Sequence, residues 1–160
     1  MLDVQSAPAN INRAMTVAGS DSGGGAGLQA DLKTFAANGV YGTSVVTTIT
    51  AQNTLGVQEV LELPIALIES QIDSVLTDIG TDVVKTGMLY SSEVIRAVAA
   101  KINQYDIGLL VVDPVMKAKG GAKLINDEAI DTLRNVLLPM ATVITPNAPE
   151  AQDLTGIVVE

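Results

Sequence analysis

The chain has 160 residues, enough for one domain with a real core, and its 48% hydrophobic content and mean hydropathy of +0.36 argue against disorder. Eighteen acidic against nine basic residues give a net charge of −9, which opposes binding to nucleic acid or to anionic membranes. Without Cys or His, the chain lacks a disulfide framework, thiolate chemistry, imidazole bases and the usual zinc ligands, so any metal would be a hard cation held by oxygen.

Residues 1–13 show no clear period and read as a flexible leader, with one domain over 14–160. They lack a basic start followed by a hydrophobic stretch, and no apolar run reaches bilayer length, so a soluble, cytoplasmic protein is expected. Met15–Ala18 reads as a short apolar strand. It runs into five glycines within Gly19–Gly27 and then into a helix whose apolar face carries Leu28, Leu32 and Phe35, closed by Asn38-Gly39. Ser44–Ile49 reads as a second strand, and Gly56–Leu63 as an extra short strand beside that unit. A helix follows with Ile65, Ile68, Ile72 and Leu76 on one face. Asp82–Lys85 is a third strand, and Ser92 can cap a helix carrying Val94, Ile95, Val98 and Ile102. Leu109–Val112 is a fourth strand; Asn126 can cap a helix with Ile130, Leu133 and Leu137 before Pro139; Thr142–Ile144 is a fifth strand. Strands alternating with helices predict an α/β fold with a largely parallel sheet.

Every predicted strand ends in glycine or polar residues: Gly19-Ser20-Asp21, Thr50-Ala51-Gln52-Asn53, Thr86-Gly87-Met88, Asp113-Pro114 and Thr145-Pro146-Asn147. Ligands of open α/β sheets bind outside the carboxyl ends of the strands, so these segments converge on one crevice if the sheet is parallel. The glycine segment has several readings. Its N–H groups could cradle a phosphate at the helix start, or it could merely permit close helix-strand packing. Gly25-Ala26-Gly27-Leu28-Gln29-Ala30 fits a dinucleotide-binding fingerprint, but the second strand ends at Gln52 rather than at a ribose-binding acid. No Gly-Lys pair exists for a P-loop.

Several residues carry both a bland and a functional reading. Asp31 is a solvated helix charge or an acceptor for an amino or hydroxyl group, and Gln52 is a turn residue or an amide facing a heteroaromatic ring. Met88 is core filler or a contact on the face of a flat ligand. Asp113 opens a loop containing Lys117, Lys119, Gly120, Gly121 and Lys123, which is a plain surface loop or a place for Mg²⁺ and polyphosphate. Asn147 and Glu150 form either a capping box or a pair holding the water shell of Mg²⁺.

Six segments in order resemble the hydroxymethylpyrimidine/phosphomethylpyrimidine kinases of the ribokinase-like family. They are Ala18–Gly27, Gln29–Phe35, Thr50–Thr54, Lys85–Leu89, Val112–Met116 and Thr145–Asn147 with Glu150. The resemblance implies a three-layer αβα ribokinase-like fold with a mainly parallel sheet, of which this chain would be the N-terminal portion, incomplete at its C-terminus. It implies ATP- and Mg²⁺-dependent phosphorylation of 4-amino-5-hydroxymethyl-2-methylpyrimidine and its monophosphate in thiamine biosynthesis, and a homodimer for the complete enzyme. By the same resemblance Gly19, Asp31, Gln52 and Met88 bind the pyrimidine, Val115 lines its pocket, and Asp113, Asn147 and Glu150 belong to the metal and ATP-phosphate region. The family's base sits in a later Gly-Thr-Gly-Cys or Gly-Thr-Gly-Asp segment, which is expected beyond Glu160. No catalytic base is therefore expected among these 160 residues, and their activity is expected to be impaired. Related readings are a pyridoxine or pyridoxal kinase and a non-catalytic pyrimidine-binding remnant.

Overall fold

The computed structural model describes residues 11–116 and 125–158. β1 (Arg13–Ala18) starts two residues earlier than the apolar pattern suggests, because the Arg13 N–H and guanidinium both bind the Asp82 carboxylate across the sheet end. β1 is buried from Ala14 onward, and its alternation sorts two faces. Met15 and Val17 join the main core, while Thr16 reaches the helix on the opposite side.

That helix, α1 (Gly27–Ala37), lies against β1 and β2 (Tyr41–Val46). It ends at Asn38 and Gly39, as the punctuation predicts. Gly42 lets it close in, since a Cβ there would come within 2.9 Å of Leu32 and 3.0 Å of Phe35. The predicted single strand Ser44–Ile49 is two strands. The chain breaks at Thr47, and β3 (Thr48–Asn53) leaves the main sheet to pair antiparallel with β4 (Gly56–Glu62).

α2 (Ile65–Asp78) buries Ile68 and Ile72, but Ile65 stands exposed, so the buried stripe begins one turn later than expected. β5 (Val83–Thr86) leads to α3 (Ser92–Gln104). There Val94, Ile95, Val98 and Ile102 are all buried, but the cap is Ser91: its hydroxyl accepts the Val94 N–H at 3.3 Å, and Ser92 is the first buried helical residue. After β6 (Leu110–Val112), Asn126 caps α4 (Asp127–Thr132) as predicted. The helix then widens into a π turn over Leu133–Leu137 and a 3₁₀ turn at Pro139. β7 (Val143–Ile144) and α5 (Ala148–Thr155) follow.

The five main strands are parallel in the order β2-β1-β5-β6-β7. α2, α3 and α4 pack in sequence over the face carrying Met15, Val17, Val84 and Val112, with α1 on the other, which makes three layers. Each fully buried aliphatic side chain in that core contributes about 1.5–3 kcal/mol. The sheet order sets β1, β5 and β6 side by side, so their carboxyl ends share one rim.

α2 and α3 are also tied by a polar cluster in which Lys101 Nζ lies 2.7 Å from both Asp73 carboxylate oxygens and the Tyr105 hydroxyl donates to one of them at 2.8 Å. The Lys101 hydrogen bond, followed by that of Tyr105, holds Asp73 below the ordinary carboxylate range. A lowered folded value means that the unfolded chain binds the proton more readily, so the contribution is complete above the unfolded Asp value of about 3.9 and is lost as pH falls through the folded one. Asp73→Asn is therefore expected to flatten the acid-side loss of stability below about pH 4. Urea melts of both proteins across that range check it; parallel acid-side curves would refute the assignment.

Candidate functional site

The carboxyl ends of β1, β5 and β6, the start of α1 and the β3–β4 hairpin enclose a cavity of about 290 Å³. Its floor begins at Gly19. A Cβ on Gly19 would fall on the Thr48 hydroxyl and within 2.7 Å of Met88 Cε, so only glycine lets hairpin, β1 and Met88 meet there. Gly27, at φ +56, faces the Gly19 carbonyl, which accepts the Leu28 N–H at 3.0 Å.

The glycine loop between them is closed on itself. The buried Asp21 carboxylate accepts N–H groups from Gly23 at 2.8 Å, Gly25 at 2.9 Å and Ala26 at 2.8 Å, while the Asp21 N–H donates to Gln29 Oε1 at 2.8 Å. The successive N–H groups of Gly25 and Ala26, with that of Gly23, converge as in an anion nest, and here the anion is the protein's own side chain. Asp21 also caps α1, whose N-cap Ala26 has no side-chain acceptor to offer. These donors are spent, so the loop acts as a wall of the cavity and not as a cradle for an external phosphate.

Two short stitches bind this wall to the hairpin. Thr50 donates twice to Ser20, from its hydroxyl to the carbonyl at 2.7 Å and from its N–H to the hydroxyl at 3.2 Å, and Ser22 and Gln52 exchange bonds at 2.6 and 2.8 Å. Thr50, Gln52 and Val57 thereby line the cavity from the hairpin side. Asp31 projects from the second turn of α1 into the same space, with its Oδ2 accepting the Thr16 hydroxyl at 2.6 Å and Lys85 Nζ at 3.1 Å. Lys85 Nζ also sits 3.4 Å from Asp113 Oδ2. Met88 and Val115 complete the apolar lining.

Of the residues singled out from sequence, Gly19, Asp31, Gln52, Met88, Val115 and Asp113 come together around one cavity. Asp113 stands across Lys85 from Asp31. Asn147 and Glu150 do not line it. They form a reciprocal capping box at the start of α5, each side chain accepting the other's N–H at 2.9 Å, with Glu150 buried. Among the described residues, no group of three or more acidic side chains is arranged for a metal ion. Lys117, Lys119, Gly120, Gly121 and Lys123 lie outside the described residues. So does Glu160. Lys85, Asp21 and Thr16 belong to the site although none of them carried a role of its own in the sequence; Asp21 stood only as part of a strand end and Lys85 only as the first residue of a resembling segment.

A family model described as phosphomethylpyrimidine kinase matches residues 21–160. The chain belongs to this family. Its relatives in the phosphomethylpyrimidine kinase family include the hydroxymethylpyrimidine/phosphomethylpyrimidine kinase of Bacillus subtilis, 52% identical over 150 residues, which are 94% of this chain and 55% of that protein. The crystal structure of phosphomethylpyrimidine kinase from Clostridium difficile 630 superposes with a TM-score of 0.87 at 50% identity, covering 93% of this chain and 64% of that one. A Bacillus subtilis pyridoxal kinase structure, an ADP complex, matches at 0.81 and 40%, covering 92% and 54%. The chain thus spans about half the length of the curated relatives it matches. The expected α/β architecture with a mainly parallel sheet is that of these ribokinase-like kinases. No helix of the described residues is long and apolar enough to cross a membrane.

Proposed function

We propose that this phosphomethylpyrimidine kinase family chain binds 4-amino-5-hydroxymethyl-2-methylpyrimidine and its monophosphate for ATP-dependent phosphorylation. The observation that carries the reading is the convergence of Gly19, Asp31, Gln52, Met88 and Val115, drawn from five separate segments, on one cavity. Its mix of an apolar face and a few placed polar groups suits a flat heteroaromatic ring. Met88 and Val115 press on the ring, Asp31 accepts its amino group, and the Gln52 amide meets a ring nitrogen. The hydroxymethylpyrimidine/phosphomethylpyrimidine kinase of Bacillus subtilis and the Clostridium difficile phosphomethylpyrimidine kinase stand at higher identity than the pyridoxal kinase, which supports the pyrimidine over pyridoxal.

On the nucleotide side, ATP supplies the phosphoryl group and Mg²⁺ screens its charge. Asp113 fits a Mg²⁺ that keeps most of its waters and needs only one or two protein carboxylates. Asn147 and Glu150 would have to break their cap to join it, so in this reading they frame α5 and leave Asp113 as the acid facing the transfer. The base that takes the hydroxymethyl proton is assigned, in this reading, to a segment following Glu160. The reading extends to a cytoplasmic homodimer, with the exposed cross-strand pair Ile49 and Leu61 of the hairpin as the apolar surface available for a second copy.

Calorimetric titration of the 160-residue chain with the hydroxymethylpyrimidine and with pyridoxal tests the ring. The pyrimidine is expected to bind at least about tenfold tighter, the worth of one well-placed hydrogen bond to a charged group. Preference for pyridoxal would overturn the reading in favour of the second kinase class.

A further inference from the structure

Lys85 is the one cation among the described residues that line the cavity, and it is held by two acids. Its Nζ lies 3.1 Å from Asp31 Oδ2 and 3.4 Å from Asp113 Oδ2, on side chains that are only 21%, 17% and 32% exposed. A lysine in a central strand is costly to bury unless paired, and here the neighbourhood is shaped around it. A Cβ on Gly87 would stand 3.0 Å from Ala18 Cβ and 3.2 Å from Nζ, so glycine leaves space for both the neighbouring strand and the ammonium. Thr16, from the adjacent strand, donates to the same Asp31 oxygen that Lys85 holds. With Oδ2 taken twice, Oδ1 is the Asp31 atom that remains for a ligand.

We propose that Lys85 is a positioning residue that sets ring selectivity: it fixes Asp31 through Oδ2 so that a ring donor meets Oδ1, and its charge offsets one of the three acids and so lowers the cavity's preference for a cationic ring over a neutral one. This rests on the ring-binding reading above. Without Lys85 the lining carries Asp21, Asp31 and Asp113 and no cation, and such a pocket favours a positively charged ring. The prediction is thus a change of opposite sign for two ligands of similar size, which a loosened or partly unfolded pocket would not give.

Isothermal titration of wild type, Lys85→Met and Lys85→Gln with the neutral aminopyrimidine and with 3-(hydroxymethyl)-1-methylpyridinium tests it. Both variants are expected to lose about tenfold on the pyrimidine and to gain at least about threefold on the pyridinium. Loss on both ligands, or no change on either, overturns the proposal. If wild type takes neither ring, the ring-binding reading fails by itself, and a ligand-free measurement decides the role of Lys85. The Lys85 ammonium is then expected as a slowly exchanging ¹⁵N cross-peak in wild type that is lost in Asp31→Asn; no such peak in wild type would overturn the proposal.

Discussion

Alanine at Asp21 is expected to lower the unfolding free energy by about 3 kcal/mol, the largest loss from any single side chain of the glycine loop. Three backbone N–H groups depend on that carboxylate, at 2.8, 2.9 and 2.8 Å. Hydrogen bonds to a charged group are worth about 1.5–3 kcal/mol each, so a simple sum would be larger. The sum overstates the loss because Gly23, Gly25 and Ala26 are themselves exposed, and water can take over part of the bonding once the carboxylate is gone. Asp21→Asn keeps one acceptor oxygen and is expected to lose roughly half as much. Urea denaturation of the three proteins measures this directly. A loss under about 1 kcal/mol for alanine would mean that the loop holds its shape without the carboxylate.

The second large effect is on binding. Asp31→Asn is expected to weaken the hydroxymethylpyrimidine about 30-fold or more, with a stability change near 1 kcal/mol. The asparagine amide offers one oxygen where the carboxylate offers two, and Thr16 and Lys85 both donate to Oδ2. If the amide oxygen stays with those two donors, the NH₂ faces the ligand's amino group and two donors oppose each other. If it turns around, the NH₂ meets the ammonium instead. Calorimetric titration reads the loss, and a thermal melt separates it from unfolding. Unchanged affinity would remove Asp31 from ring recognition.

What could be read from the sequence followed from local pattern. The stripe of Val94, Ile95, Val98 and Ile102 repeats at the helical period, and all four are buried. Asn126 and Asn147 announce helix starts by chemistry that operates within three residues. The break at Thr47 had no such signal, because Val45-Val46 and Thr48-Ile49 are equally suited to a strand on either side of it. What turns the chain there is distant: the Thr47 N–H donates to Ala18 at 3.0 Å, and its hydroxyl donates to the Met88 carbonyl at 2.8 Å. Lys85 was obscured for a similar reason, since its partner Asp31 stands 54 residues away in sequence. The converse held for Asn147 and Glu150, whose capping pattern was visible and is how the structure uses them.

The root of the hairpin has a further consequence, for the time course of ligand access. Thr47 is fully buried and bonded in three directions, its carbonyl accepting the Leu63 N–H at 2.9 Å in addition to its own two donations. Beyond that root, Ser20 and Ser22 tie β3 to the glycine loop. For either loop or hairpin to swing aside alone, these four bonds would have to break. Entry to the cavity past this wall is therefore expected as a single cooperative opening, with the amides of Thr50 and Gln52 exchanging hydrogen at one common rate.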